Sequence, residues 1–304
     1  MRRVAIFAHY DKDNIIEDYV IFYLQELKKV AEKIIFVSDS NITESELEKI
    51  NNIANHAITE KHGEYDFGSY KRGYLLAKEL GYLQDCEELI ICNDSCYGPL
   101  YPFENMFNTM SPKKLDVWGL TINPEGMSLD NGTIKSQEFP HIQSYFVVFK
   151  PQVFKSEFFD NFITSVKKEE NKELIIIKYE MGLTQLLIDN NFEYDAYCQL
   201  SKIIKSSHLK GYETLILDDK CPLIKTSIFR ENFKPKFPPN YKLIETQTNY
   251  DIALIKKDVI RNKKSITFTQ FVQCIFSINN TYSHKIITIC GFVIKIARKK
   301  KGTS

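Results

Sequence analysis

EELIICNDSCYGP, residues 87–99, is the stretch on which the reading of this chain turns. The apolar run from Leu89 to Cys92 goes straight into Asn93, Asp94 and Ser95. An apolar run of strand length bounded by polar residues is the pattern of a strand covered on both faces. Asp94 at its end is poorly placed to pack and well placed to meet something outside the sheet. A turn-forming Asp beside Ser95 is the plainer alternative.

The same pattern recurs upstream. RVAIFAHYD (3–11), IIFVSDS (34–40) and HAITEK (56–61) read as three further strands. Between them, EDYVIFYLQELKKVAEK (17–33) carries Val20, Tyr23, Leu24, Leu27 and Val30 at helical spacing. A second helix over about 43–53 opens with Thr43 and Glu46 in capping-box spacing, and a third spans about 69–80. Strands alternating with helices predict an α/β fold with a mostly parallel sheet covered by helices on both faces. Ligands of such sheets bind beyond the carboxyl ends of the strands. The residues to inspect are therefore His9, Tyr10 and Asp11; Ser38 and Asp39; residues 62–68; and Asn93 to Tyr97.

Downstream, VWGLT (117–121) and SYFVVFK (144–150) read as strands, and 156–170 and 178–191 as helices. The pattern loosens after about residue 205. The expected division is a core over 1–205 and a smaller C-terminal extension over 206–304, ending in the basic residues Lys295, Arg298, Lys299, Lys300 and Lys301. The apolar runs on either side of Cys290 and Gly291 suggest a hairpin.

Composition narrows the class. Forty basic residues against thirty-nine acidic give a net charge of +1, without the basic excess of a nucleic-acid binder. Seven cysteines with no CxxC pair read as reduced thiols. The opening apolar run is broken by His9, Tyr10 and Asp11, too early for a signal-peptide core, and no run reaches the ~18 apolar residues of a bilayer span. These features predict a cytoplasmic protein, with a peripheral contact on the inner face of the cell membrane through 285–301.

GEYDFGSYKRGY (63–74) adds a candidate anion site. Gly68 would let the backbone turn toward a ligand, and Lys71 and Arg72 would sit in the first turn of the helix, where N–H groups and cations favour a diphosphate. A solvated helix face is the alternative. Asp94 is the candidate metal ligand, since Mg²⁺ or Mn²⁺ bound with substrate phosphates uses one or two carboxylates.

Glycine, cation pair, helix, apolar strand and terminal acid together resemble the sugar-nucleotide half of GT-A glycosyltransferases. Asn93-Asp94-Ser95 departs from that group's DxD motif by offering one carboxylate instead of two, which leaves metal dependence open. A closer resemblance is to the rhamnan synthesis protein F family of bacterial polysaccharide glycosyltransferases. It rests on AHYD (8–11), FVSDS (36–40), YDFGSYKRGY (65–74), NDSCYGP (93–99), WGLT (118–121), HIQSYFVVFK (141–150), YEMGLTQLL (179–187) and CPLIKTSIFREN (221–232).

This resemblance implies transfer of a sugar, L-rhamnose or a related deoxyhexose, from a dTDP or UDP donor onto a lipid-linked glycan such as a surface polysaccharide or lipopolysaccharide, with inversion. It implies Glu180 as the acceptor-side base, although a Glu in a first helical turn also suits the helix dipole. Asp94, Asn93 and Ser95 would meet the donor diphosphate. His9, Tyr10, Asp11, Ser38 and Asp66 would line the nucleotide pocket. Trp118, His141, Gln143 and Ser144 are candidate sugar contacts. A noncatalytic carbohydrate-binding scaffold and a nucleotidyltransferase are the competing readings.

Overall fold

The structure, a computed structural model, describes residues 1–205, 207–230 and 239–262 together with three later strands. In chain order the strands are β1 (Arg3–His9), β2 (Lys33–Ser38), β3 (His56–Thr59), β4 (Glu88–Asn93), β5 (Cys96–Tyr97), β6 (Val117–Gly119), β7 (Ile122–Asp130), β8 (Thr133–Ile142), β9 (Phe146–Phe149), β10 (Tyr194–Ala196), β11 (Ile224–Lys225), β12 (Phe276–Asn280), β13 (His284–Ile289) and β14 (Phe292–Ala297).

Seven of them form the main sheet in the order β10-β6-β9-β4-β1-β2-β3. The pairs β1–β2, β1–β4, β2–β3 and β6–β10 are parallel, and β9 runs antiparallel to both β4 and β6. The sheet is therefore mostly parallel, as the α/β alternation in the sequence predicted, with one reversed strand.

Both faces are buried, as the unbroken apolar runs require. Ala5 and Phe7 of β1, Phe36 of β2 and Ile90 of β4 join one core layer with Trp118, Phe146 and Val148. Their neighbours Val4, Ile6, Ile35, Leu89 and Ile91 join the other, with Val117, Val147 and Phe149. Period-two alternation splits each strand between two apolar layers, which is what keeps a parallel strand apolar throughout.

The helices follow the expected spacing with shifted ends. Thr43 Oγ1 caps the Glu44–Leu47 turn by accepting from the Glu46 N–H at 3.4 Å. The helix expected from residue 69 begins at Tyr65 and runs to Glu79. The helix expected from residue 178 begins at Lys172 and continues to Asp189, with a π-helical stretch over Ile176–Met181.

The chain divides between Val259 and Ile260, whereas the sequence put the division after 205. Tyr212, Leu215, Ile216, Cys221, Leu223, Phe229, Ile244 and Ile255 are buried in the first core layer, which carries this irregular stretch into the larger unit. In the second unit β12, β13 and β14 form an antiparallel sheet in which Ile289 of β13 pairs with Phe292 of β14, while Cys290 and Gly291 lie outside the described residues. Arg298, Lys299, Lys300 and Lys301 lie outside the described residues. Among the described residues no helix is long and apolar enough to cross a membrane.

Candidate active site

The reversal of β9 builds the site. Its first residues lie beside the last residues of β4, so Asn93 donates its N–H to the Tyr145 carbonyl at 3.3 Å. The polar ends of both strands thus open on one edge, into a cavity of about 920 Å³. Asp66, Asn93, Ser95, His141, Gln143, Ser144 and Glu180 all line it. These residues come from four separate stretches of sequence.

Two hydrogen-bonded sets organise them. Asn93 Nδ2 donates to Asp66 Oδ2 at 2.7 Å, while the Ser95 hydroxyl donates to Asn93 Oδ1 at 2.6 Å. Burial pushes the Asp66 carboxyl up from its ordinary range, opposed by the charges of Lys225 and Lys172. In the second set Glu180 Oε2 accepts from the Ser144 N–H at 2.8 Å and its hydroxyl at 2.5 Å, and Oε1 lies 3.5 Å from His141 Nε2. Burial opposes ionisation of Glu180, but the imidazolium form of His141 and the Ser144 bonds outweigh it and bring its pKa down to about 2. His141 Nδ1 is within 2.9 Å of the Phe139 carbonyl, which assigns the ring proton to Nδ1. Glu180 does not open a helix; it stands in the π-helical turn in the middle of a longer one. Single π turns of this kind recur at functional positions.

Other expected residues are placed elsewhere. Because the helix starts at Tyr65, Lys71 and Arg72 fall in its second turn. Lys71 Nζ pairs with Glu64 at 3.0 Å and bonds the Val166 carbonyl, and Arg72 pairs with Glu64 at 2.9 Å and Glu60 at 3.8 Å. Neither lines the cavity. A Cβ on Gly68 would come within 2.3 Å of the Glu64 Cβ and 2.9 Å of the His62 ring, so this glycine admits the incoming loop and no ligand. Trp118 is only 2% exposed and packs on Phe107 and Phe146, which removes it from any sugar face.

Buried His9 and Ser38 form a polar network with half-buried Asp94 at the ends of β1, β2 and β4. His9 Nδ1 lies 2.8 Å from Ser38 Oγ, and its Nε2 lies 3.9 Å from Asp94 Oδ2. Asp11 closes its own loop by accepting from the Asp13 N–H at 2.8 Å, and Tyr10 is exposed. None of these five lines the cavity.

Three contributions escaped the sequence reading. The β7–β8 hairpin supplies one wall through Asn123, Glu125, Gln137 and Glu138. Its turn, Asn131-Gly132, has φ of 47° and 78°, the two positive values of a type I′ turn, and an Asn-Gly pair was the available signal. Lys225 reaches the cavity from β11. His208 also lines it, with Nδ1 buried and without a partner among the described residues. Burial and the Lys225 charge bring His208 down to about 4.

The family model described as rhamnan synthesis protein F matches residues 34–293. The chain belongs to the rhamnan synthesis protein F family. No curated protein matches the sequence. Among solved structures, core-mannan synthase A from Aspergillus fumigatus in its Mn/GDP form is 10% identical, over 60% of this chain and 69% of that one, with a TM-score of 0.34. A nucleoside-diphosphate-sugar pyrophosphorylase from Vibrio cholerae RC9 is 14% identical over 64% and 91%, with a TM-score of 0.39. A 4-diphosphocytidyl-2C-methyl-D-erythritol synthase is 8% identical over 64% and 88%, with a TM-score of 0.41. Similarity this low bears no functional argument.

In this family member the residues present do not fit a divalent cation, the point that the single carboxylate of Asn93-Asp94-Ser95 left open. Asp94 Oδ2 accepts the Tyr10 N–H at 2.9 Å, away from the cavity lining, and both side-chain ends of Asn93 are committed. Ser95 Oγ accepts the Lys225 ammonium at 2.9 Å, where a metal would meet like charge. Among the described residues no three His, Cys, Asp or Glu side chains are grouped to hold a metal.

Asp94 has instead the character of a buried acid. Burial raises its pKa from 3.8 to about 7. The folded state therefore holds its proton more tightly than the unfolded one, and this contribution, full below about pH 4, is lost as pH rises through 7. Asp94→Asn keeps an acceptor for Tyr10 and removes the buried charge. At 1.36 kcal/mol per unit, it should stabilise the protein at pH 8 by up to about 4 kcal/mol and change little at pH 4. Urea unfolding at the two pH values checks this; equal gains at both would sink it.

Proposed function

We propose that the protein is a glycosyltransferase that moves a sugar from a nucleoside-diphosphate donor onto a growing cell-surface glycan. One observation carries the reading: Asp66, Asn93 and Ser95 from the β3–β4 half share a single cavity with His141, Gln143, Ser144 and Glu180 from the second half. The family's name points to L-rhamnose or a related deoxyhexose and hence to a dTDP donor, with UDP as the other candidate. A lipid-linked acceptor would place the enzyme at the inner membrane face, where 285–301 would make the peripheral contact.

The chemistry assigns roles to atoms. The bond from the sugar's anomeric carbon to the donor diphosphate breaks through an oxocarbenium-like state, by analogy with glycoside hydrolysis. The acceptor hydroxyl must lose its proton as its oxygen bonds that carbon. A carboxylate whose Oε2 is already held by two Ser144 hydrogen bonds is a weak base for this. In its neutral form His141, with Nδ1–H donated to the Phe139 carbonyl, would offer Nε2 as base, and Glu180 Oε1 at 3.5 Å would stabilise the imidazolium that forms. The acceptor-side carboxylate inferred from the sequence keeps its place in this reading and becomes the partner of the base. Gln143 and Ser144 are proposed to bond sugar hydroxyls, and a base standing across from the leaving group implies inversion.

Calorimetry with dTDP and UDP, followed by transfer from dTDP-rhamnose to an extracted lipid-linked acceptor, tests the reading. Binding of one nucleotide in the micromolar range, about −8 kcal/mol, and extension of the glycan are expected. A protein that binds neither nucleotide is a scaffold, and one that releases pyrophosphate from a nucleoside triphosphate is a nucleotidyltransferase.

A further inference from the structure

Lys225 occupies an unusual position for a lysine. It lies on β11, whose register pairs it with Cys96 of β5, and the adjoining Thr226 N–H bonds the Ser95 carbonyl at 2.9 Å. The backbone is thus pinned to the residues that follow β4. From there Nζ donates to Ser95 Oγ at 2.9 Å and sits 4.0 Å from the centroid of the Tyr145 ring. Both partners line the cavity, as Lys225 itself does.

A surface lysine spends its charge on water. This one is held between a hydroxyl and an aromatic face, an arrangement that orients an ammonium and limits its solvation. Only one of its three N–H donors goes to Ser95. The position is also specific: it lies at the end of β4, where the single carboxylate of Asn93-Asp94-Ser95 fails to make a metal site.

We propose that the Lys225 ammonium is the resident counter-charge of the donor diphosphate, taking the place of a divalent cation. The inference rests on the glycosyltransferase reading and deepens it. As the bond between the anomeric carbon and the diphosphate oxygen breaks, its electron pair stays on that oxygen, and Lys225 meets the developing negative charge. The acceptor oxygen forms the new bond to the carbon and yields its proton to the base. No metal and no further reactant enters the balance.

The test titrates dTDP and UDP into the full chain in EDTA and in excess Mn²⁺, for wild type, Lys225→Met and Lys225→Arg. Wild-type affinity should agree within about twofold between the two conditions. Loss of a charge-assisted hydrogen bond in Lys225→Met should weaken binding about 10- to 100-fold in both, and Lys225→Arg should retain most of the affinity. Should Lys225→Met fail to fold, Lys225→Gln, which can still donate to Ser95, replaces it. Binding that falls tenfold or more on EDTA treatment, or a folded neutral variant with wild-type affinity, overturns the proposal and leaves the glycosyltransferase reading standing. Wild type that binds neither nucleotide in either condition brings down that reading, and this inference with it.

Discussion

Replacing His141 by Asn should slow sugar transfer by about 10²- to 10⁴-fold, the usual worth of a positioned general base, while dTDP binds within about twofold of wild type. Asparagine can keep the bond to the Phe139 carbonyl, so the β8 end should hold its course. Glu180→Gln retains an acceptor for Ser144 but removes the charge facing the imidazole. It should therefore lower kcat as well and move the acidic limb of the pH–rate profile, which reports the base, to lower pH. A purely structural role for Glu180 would change stability without moving that limb. His141→Asn enzyme with wild-type kcat would leave the base assignment without support.

The second large effect concerns Gly98. Its φ is +143°, and an added Cβ would lie 2.4 Å from the Pro222 carbonyl oxygen and 2.7 Å from Leu223 Cδ2. That carbonyl accepts the Leu100 N–H at 2.7 Å, one of the bonds that fasten the 221–230 segment to the residues after β4. Gly98→Ala therefore combines a backbone conformation closed to L side chains with a clash against main chain. A loss above about 3 kcal/mol is expected, or a fall in Tm of roughly 6 °C or more for a unit of this size. Nucleotide affinity should fall with it, because Lys225 rides on the displaced strand. An unchanged Tm measured by calorimetry would contradict this account.

What the sequence disclosed follows from how each element is buried. The strands β1, β2 and β4 were legible because both of their faces are covered, leaving apolar runs that admit one reading. The β7–β8 hairpin was not, since most of β8 is exposed and its residues carry no apolar alternation. Only Asn131-Gly132 marked it. Lys71 and Arg72 were misjudged by a helix boundary: starting at Tyr65 instead of 69 moves them a turn along, where Glu60 and Glu64 take them up. Asp66 and Asn93 were legible from strand ends, whereas Glu180 came from the family resemblance and His141 from its polar stretch before β9. Lys225 was not legible, because it stands in an irregular stretch and meets Ser95 across 130 residues of chain.

The reversed strand β9 has a further consequence. Its two sheet neighbours are reached from opposite directions, and the whole excursion between β6 and β9 is spent on the hairpin and the loop carrying His141, Gln143 and Ser144. Hydrogen-bond register among β1, β2, β3 and β4 owes nothing to that excursion. The hairpin residues 124–138 can therefore vary in length and side chain while His141, Ser144 and the Tyr145 ring beside Lys225 stay where the parallel strands put them.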